Sequence, residues 1–194
     1  MRFVLATENP GKIVEIRKLL SMYGIDIVTR NELGIDLNVE ETGTTFFENA
    51  LIKAKAICGV AGLPAIADDS GLEVEALGGE PGVYTSSFGG EGLNESARCK
   101  YLLMKLRNTE HRNAKFVCCI VCAFPDGEII SASGECYGKI AKEPRGTNGF
   151  GYDPVFIAEG MGVTMAELDA DMKDKISHRG KALDGFVRQI LGRA

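Results

Sequence analysis

Phe116-Val117-Cys118-Cys119-Ile120-Val121-Cys122-Ala123-Phe124-Pro125-Asp126-Gly127 is an unbroken apolar run that ends in a turn signal. Its length and its Val, Ile and Phe content suit a buried strand, and Asp-Gly after it signals a tight hairpin. A second long strand is expected beyond Gly127. A hairpin excludes a purely parallel, doubly wound sheet, so the chain reads as mixed α/β. The run also contains Cys119-x-x-Cys122. Residues three apart on a strand face opposite ways, so this pair is read as buried thiols rather than as half of a metal site.

Working outward, residues 2–7 read as an opening strand. Residues 10–23 read as a helix with Ile13, Ile16, Leu19, Leu20 and Tyr23 on one face. Asn9-Pro10 marks its start, Asn as N-cap and Pro in the first turn. Thr45-Phe46-Phe47-Glu48 matches a capping box, with Phe47, Ala50, Leu51, Ala54 and Cys58 as the apolar stripe of a second helix. A third helix is expected over about 94–107 and a strand around Tyr152–Ile157. A last helix starts near Ser177, with Ala182, Leu183, Phe186, Val187, Ile190 and Leu191 on one side.

The chain has 194 residues, 45% of them hydrophobic, and a net charge of −5. That length fits one domain, or two lobes sharing a sheet. The charge opposes a protein that coats nucleic acid or anionic membrane. No apolar run approaches the length of a transmembrane segment or a signal peptide, so a cytoplasmic location with reduced thiols is expected.

Five stretches could carry chemistry. Thr7-Glu8-Asn9-Pro10-Gly11-Lys12 leads a strand into a helix N-terminus, where free N–H groups and a lysine favour phosphate. It is not a Walker A loop, because Ile13 follows the lysine. Glu40-Glu41-Thr42-Gly43 and Ala67-Asp68-Asp69-Ser70-Gly71-Leu72 offer carboxylates for a hard cation such as Mg²⁺. The second of these reads as a short buried strand that ends in a turn at Gly71. Asp68 and Asp69 should point to opposite sides of it. Gly149-Phe150-Gly151-Tyr152-Asp153-Pro154 sets an aromatic ring among glycines, suited to a flat ligand, with Asp153 able to accept from a ring N–H. Lys173 to Lys181 places His178 and Arg179 in a first helical turn, where the helix dipole disfavours cations.

Taken in this order, the motifs resemble the inosine triphosphate pyrophosphatase family, also called dITP/XTP pyrophosphatases. The matching pieces include Thr7-x-Asn9-x-x-Lys12, Phe46-x-Glu48-Asn49-Ala50, Gly79-x-Pro81-Gly82-x-Tyr84, Gly149 to Pro154 and Ser177-His178-Arg179. The resemblance implies a homodimer whose subunit, residues 1–194, is a two-lobed ITPase-like domain. That domain is built on an elongated mixed β-sheet with the active site in the cleft between lobes. It implies Mg²⁺-dependent hydrolysis of ITP, dITP and XTP to the monophosphate and pyrophosphate, which keeps these nucleotides out of DNA and RNA. Thr7, Glu8, Asn9, Pro10, Gly11 and Lys12 would hold the phosphates, with Lys53 a further candidate. Glu40 (or Glu41) and Asp69 would serve Mg²⁺, with Asp69 also the general base and Ser70 touching substrate. Phe150, Gly151, Tyr152, Asp153, Lys173, His178 and Arg179 would hold the base. One stretch departs from the family pattern: Tyr84-Thr85-Ser86-Ser87 stands where an arginine usually closes the motif. A pyrophosphatase for pyrimidine nucleotides and a non-enzymatic nucleotide- or RNA-binding module are the competing readings. The acidic net charge opposes the second.

Overall fold

The computed structural model describes residues 2–192. Six strands alternate with helices: β1 (Arg2–Leu5), α1 (Pro10–Ser21), β2 (Asp26–Thr29), α2 (Phe46–Ala61), β3 (Ala65–Val74), α3 (Glu95–Lys105), β4 (Asn113–Ala123), β5 (Ile129–Ile140), β6 (Phe156–Ala158), α4 (Ala170–Ile176) and α5 (His178–Leu191). The sheet order is β2-β1-β3-β4-β5-β6. β1 runs parallel to β2 and β3, and β5 runs antiparallel to β6, so the sheet is mixed as expected. The Asp-Gly hairpin joins neighbours β4 and β5. Gly127 N–H donates to the Phe124 carbonyl at 3.0 Å, and Phe124 N–H to that of Glu128 at 2.9 Å.

Contacts divide the chain into two compact units. Of the described residues, one comprises 2–70, 118–134 and 179–192; the other comprises 71–117 and 135–178. The first packs Phe3 and Leu5 of β1, Ile16 and Leu20 of α1, Ile66, Ile120 and the α5 face Ala182, Leu183, Phe186 and Val187. The second packs Leu72, Val74, Leu102, Phe116, Ile140 and Phe156.

The helix starts follow the local chemistry. Asn9 caps α1, accepting from Lys12 N–H at 3.1 Å, and the capping box of Thr45 and Glu48 forms at α2. Four expectations need correction. β3 does not end at Gly71 but continues to Val74, because Leu72 and Val74 feed the second core. In α2, Phe46 is buried and Phe47 is exposed, the reverse of the expected stripe. Tyr23 and Leu191 lie beyond the buried faces of their helices and are exposed. The strand expected over 152–157 is a 3₁₀ turn at Asp153–Val155 and then a short strand, since Pro154 fixes φ and lacks a ladder donor. All six cysteines are buried free thiols, as the strand reading of Cys119-x-x-Cys122 expects.

Candidate active site

In the first unit, the middle of β3 at Asp68-Asp69-Ser70 gathers charges from three helices. Alternation on β3 sends the two aspartates to different partners. Asp68 is fully buried and pairs with Lys12 of α1 and with Arg179 of α5, whose Nε lies 3.0 Å from Oδ2. The Cys118 thiol donates to the same oxygen at 3.0 Å. Ser70 Oγ donates to Asp68 at 3.1 Å and accepts from Arg179 Nη2 at 2.9 Å. Arg179 Nη1 reaches Glu15 at 2.5 Å, which completes three partners for a buried guanidinium. These partners offset the dipole cost of a cation in the first turn of α5. Burial pushes the Asp68 carboxyl up, but Arg179 and Lys12 outweigh it and hold it well below the usual carboxylate range.

Asp69 instead meets Lys53 of α2, 2.8 Å from Oδ1, and the same ammonium lies 3.0 Å from Glu41. Burial pushes the Asp69 carboxyl up to about 6, against Lys53 and Lys12 and with Glu41. Burial pulls Lys53 down, yet Asp69 and Glu41 together leave it raised. Near neutral pH both partners are therefore charged, and the pair is an ion pair whose carboxylate is close to accepting a proton.

The phosphate turn keeps its expected shape. Thr7 Oγ1 accepts from Asn9 N–H at 3.2 Å, and Glu8 lies 3.4 Å from Arg30. Pro10 and Gly11 open α1 beside the capped N–H groups. Glu40 is exposed, and Glu41 rather than Glu40 reaches the Lys53–Asp69 pair.

The donor set suits a hard cation. Lys12, Lys53 and Arg179 face the four carboxylates Glu15, Glu41, Asp68 and Asp69, so the cluster is net negative. A polyanionic ligand would meet that charge unless a cation accompanied it. Mg²⁺ with one or two carboxylates, water and ligand phosphate fills that need.

The second unit holds the aromatic residues. Asp153 Oδ2 accepts from Lys173 Nζ at 2.5 Å and from Phe150 N–H at 2.8 Å. The same ammonium sits 4.8 Å from the centroid of the half-buried Phe150 ring. His178 stacks on Phe116 at 4.7 Å and 12°. Tyr152 donates to the Thr85 carbonyl at 3.1 Å, and Thr85 Oγ1 accepts from Leu72 N–H at 2.9 Å. The stretch that lacks the family arginine is thus anchored at Thr85.

Gly149 is required where it stands. Its φ is +72°, and a Cβ there would lie 2.1 Å from Asp153 Oδ2 and 3.1 Å from Lys173 Nζ. Gly149→Ala should cost about 3 kcal/mol, from left-handed strain plus a broken buried pair. Gly151→Ala, at φ +63° with open space around it, should cost only about 1 kcal/mol. Urea denaturation of both variants checks this, and equal losses would refute it.

Glu15, Arg30 and Cys118 were not singled out from sequence. Glu15 follows Lys12 by one helical turn, a spacing that could have placed it on the same face. Arg30 and Cys118 carry no comparable signal.

Residues 3–189 match the Ham1 family. The chain is 50% identical to a dITP/XTP pyrophosphatase of Aquifex aeolicus, over 98% of this chain and 96% of that one. It is 47% identical to a dITP/XTP pyrophosphatase of Escherichia coli O157:H7, over 94% of each. The solved structure of the Staphylococcus aureus Ham1 protein superposes with a TM-score of 0.90 at 41% identity, covering all of both chains. A match along almost the whole length, in fold as in sequence, places this chain in the Ham1 family.

Proposed function

We propose that the chain is a nucleoside triphosphate pyrophosphatase that hydrolyses noncanonical purine nucleotides (ITP, dITP and XTP) to the monophosphate and pyrophosphate. The observation that carries this reading is Asp69: a mostly buried carboxylate with its pKa raised to about 6, beside Lys53, in a chain similar throughout to dITP/XTP pyrophosphatases.

Asp69 accepts the proton of the attacking water. The water oxygen bonds to the α-phosphorus, and the bond to the α–β bridging oxygen breaks. Pyrophosphate leaves, stabilised by Lys12, Lys53 and the N–H groups that open α1. Asp69, with Glu41 or Glu40, would hold Mg²⁺, which would supply charge neutralisation for the triphosphate. Phe150 offers a stacking face for the base. Lys173 donates toward an exocyclic oxygen, which adenine lacks; its amino group would leave that donor unpaired. Arg179, which the resemblance places at the base, has its guanidinium engaged by Asp68, Glu15 and Ser70. Lys173, whose ammonium lies against the Phe150 ring, is the selectivity candidate. The protein acts as a cytoplasmic homodimer that clears such nucleotides before they enter DNA and RNA. This assignment rests on the resemblance.

Pyrophosphate release from ITP, dITP, XTP, ATP and GTP with Mg²⁺ tests the proposal. Turnover on the first three should exceed that on ATP and GTP by about 100-fold or more in kcat/KM. Comparable rates on all five, or release of single phosphates, would overturn it. Sedimentation of the same preparation tests the dimer.

A further inference from the structure

We propose that Arg30 and Asn49 are positioning residues that clamp the acidic loop 35–43 at its two ends, so that Glu41 is held against the Lys53–Asp69 pair. The inference rests on the function read above for that pair.

Residues 35–43 form no strand or helix, so no ladder of backbone bonds fixes where Glu41 lies. Two buried polar side chains do so instead. Arg30 follows the last residue of β2 and is only 6% exposed. Its own N–H donates to the Leu5 carbonyl at the end of β1, at 3.1 Å. Its Nη2 donates to the Leu37 carbonyl at 2.7 Å and its Nε to the Ile35 carbonyl at 3.3 Å. The same guanidinium lies 3.4 Å from Glu8 in the phosphate turn. One rigid fork therefore ties the start of the acidic loop to the turn ahead of α1, a geometry that a lysine ammonium cannot reproduce.

The other end is held from α2. Asn49 is 4% exposed, and its Oδ1 accepts from Gly43 N–H at 2.8 Å. The approach is close: a Cβ at Gly43 would lie 2.6 Å from that oxygen. One turn further along α2, Lys53 reaches both Glu41 and Asp69. The helix that grips the loop through Asn49 thus also carries the cation that reads it. Arg30 and Asn49 direct their buried polar groups at loop backbone and, for Arg30, at Glu8 as well, and that placement holds the loop beside the Lys53–Asp69 pair.

The test compares the full-length wild type with Arg30→Lys, Arg30→Met and Asn49→Ala in two ways. The first is amide hydrogen exchange without metal or nucleotide. Exchange should rise about tenfold at the Ile35 amide in the Arg30 variants and at the Gly43 amide in Asn49→Ala, with β1 and β3 unchanged. The second is coupling to Glu41→Gln in kcat/KM for ITP. Glu41→Gln should lower wild-type kcat/KM by about tenfold or more, yet by less than about twofold in the Arg30→Met background, because the carboxylate is already displaced. Unchanged loop exchange overturns the clamp. So does a pair of effects that simply multiply, since an Arg30 that served stability alone would behave that way. If the wild type releases no pyrophosphate from any nucleotide, the functional reading fails, and the exchange comparison alone decides the clamp.

Discussion

Asp68→Asn is expected to lower stability by about 3–5 kcal/mol at pH 7.5. In a chain of this length that is a fall in Tm on the order of 10 °C. Asn matches Asp in size, so no cavity contributes. The loss is electrostatic. Asp68 is 1% exposed and is the shared partner of Lys12, Arg179, the Cys118 thiol and Ser70. Without its charge, a 2% exposed Arg179 loses a counter-ion that Glu15 does not replace, and Lys12 loses the carboxylate it pairs with. The pH dependence follows from the lowered pKa. A carboxyl held below its unfolded value near 4 adds stability that is fully present above that value. It is lost only as pH falls through the lower folded pKa. The gap between wild type and variant should therefore stay constant from pH 5 to 8. Denaturant titrations across that range decide it. A loss under about 1 kcal/mol would mean that solvent or Glu15 compensates the freed cations.

Much of this arrangement could be read from the residues, because the signals were local. Asn9-Pro10 fixed the start of α1, Thr45 to Glu48 that of α2, and Asp126-Gly127 the hairpin, since caps and turns depend on side chains a few positions apart. Strand alternation separated the partners of Asp68 from those of Asp69 before any contact was known. What failed depended on distant packing. Gly71 reads as a turn, yet β3 passes through it because Leu72 and Val74 have a second core to enter. Phe46 and Phe47 are equivalent in sequence, and only the neighbours of α2 decide which is buried. The role of Arg30 depends on carbonyls five and seven residues along an irregular loop, for which no periodicity exists. Arg179 was found by the rule it breaks. Its partner Glu15, 164 residues away, was not.

Asp69→Asn, one residue along, should do the opposite: abolish turnover and make the protein more stable. As the base that takes a proton from water, its removal should lower kcat/KM by about 10³-fold or more. Folding stability responds with the reverse sign to Asp68 because the folded pKa is raised, from an ordinary value near 4 to about 6. The stability linked to that proton is fully present below pH 4 and is lost as pH rises through 6. Above 6, the native state carries a mostly buried charge that Lys53 only partly offsets, at a cost on the order of 3 kcal/mol. Asn removes that charge but leaves Lys53 with Glu41 as its one carboxylate, so the net gain should be about 1–2 kcal/mol at pH 8. Near pH 5 the wild-type carboxyl is itself protonated, and the gain should shrink toward zero. The same titration predicts that wild-type kcat/KM falls as pH drops through about 6, since that parameter reports the free protein. Calorimetry at pH 5 and pH 8, beside the pH–rate profile, checks both. If Asp69→Asn proves as destabilising as Asp68→Asn, attraction to Lys53 outweighs burial at this carboxylate. Its acid limb should then lie well below 6. If the gain appears only at high pH and turnover is lost, the two adjacent aspartates divide the work: one holds the middle of β3 and its cations in place, and the other is a buried carboxylate able to take a proton from water.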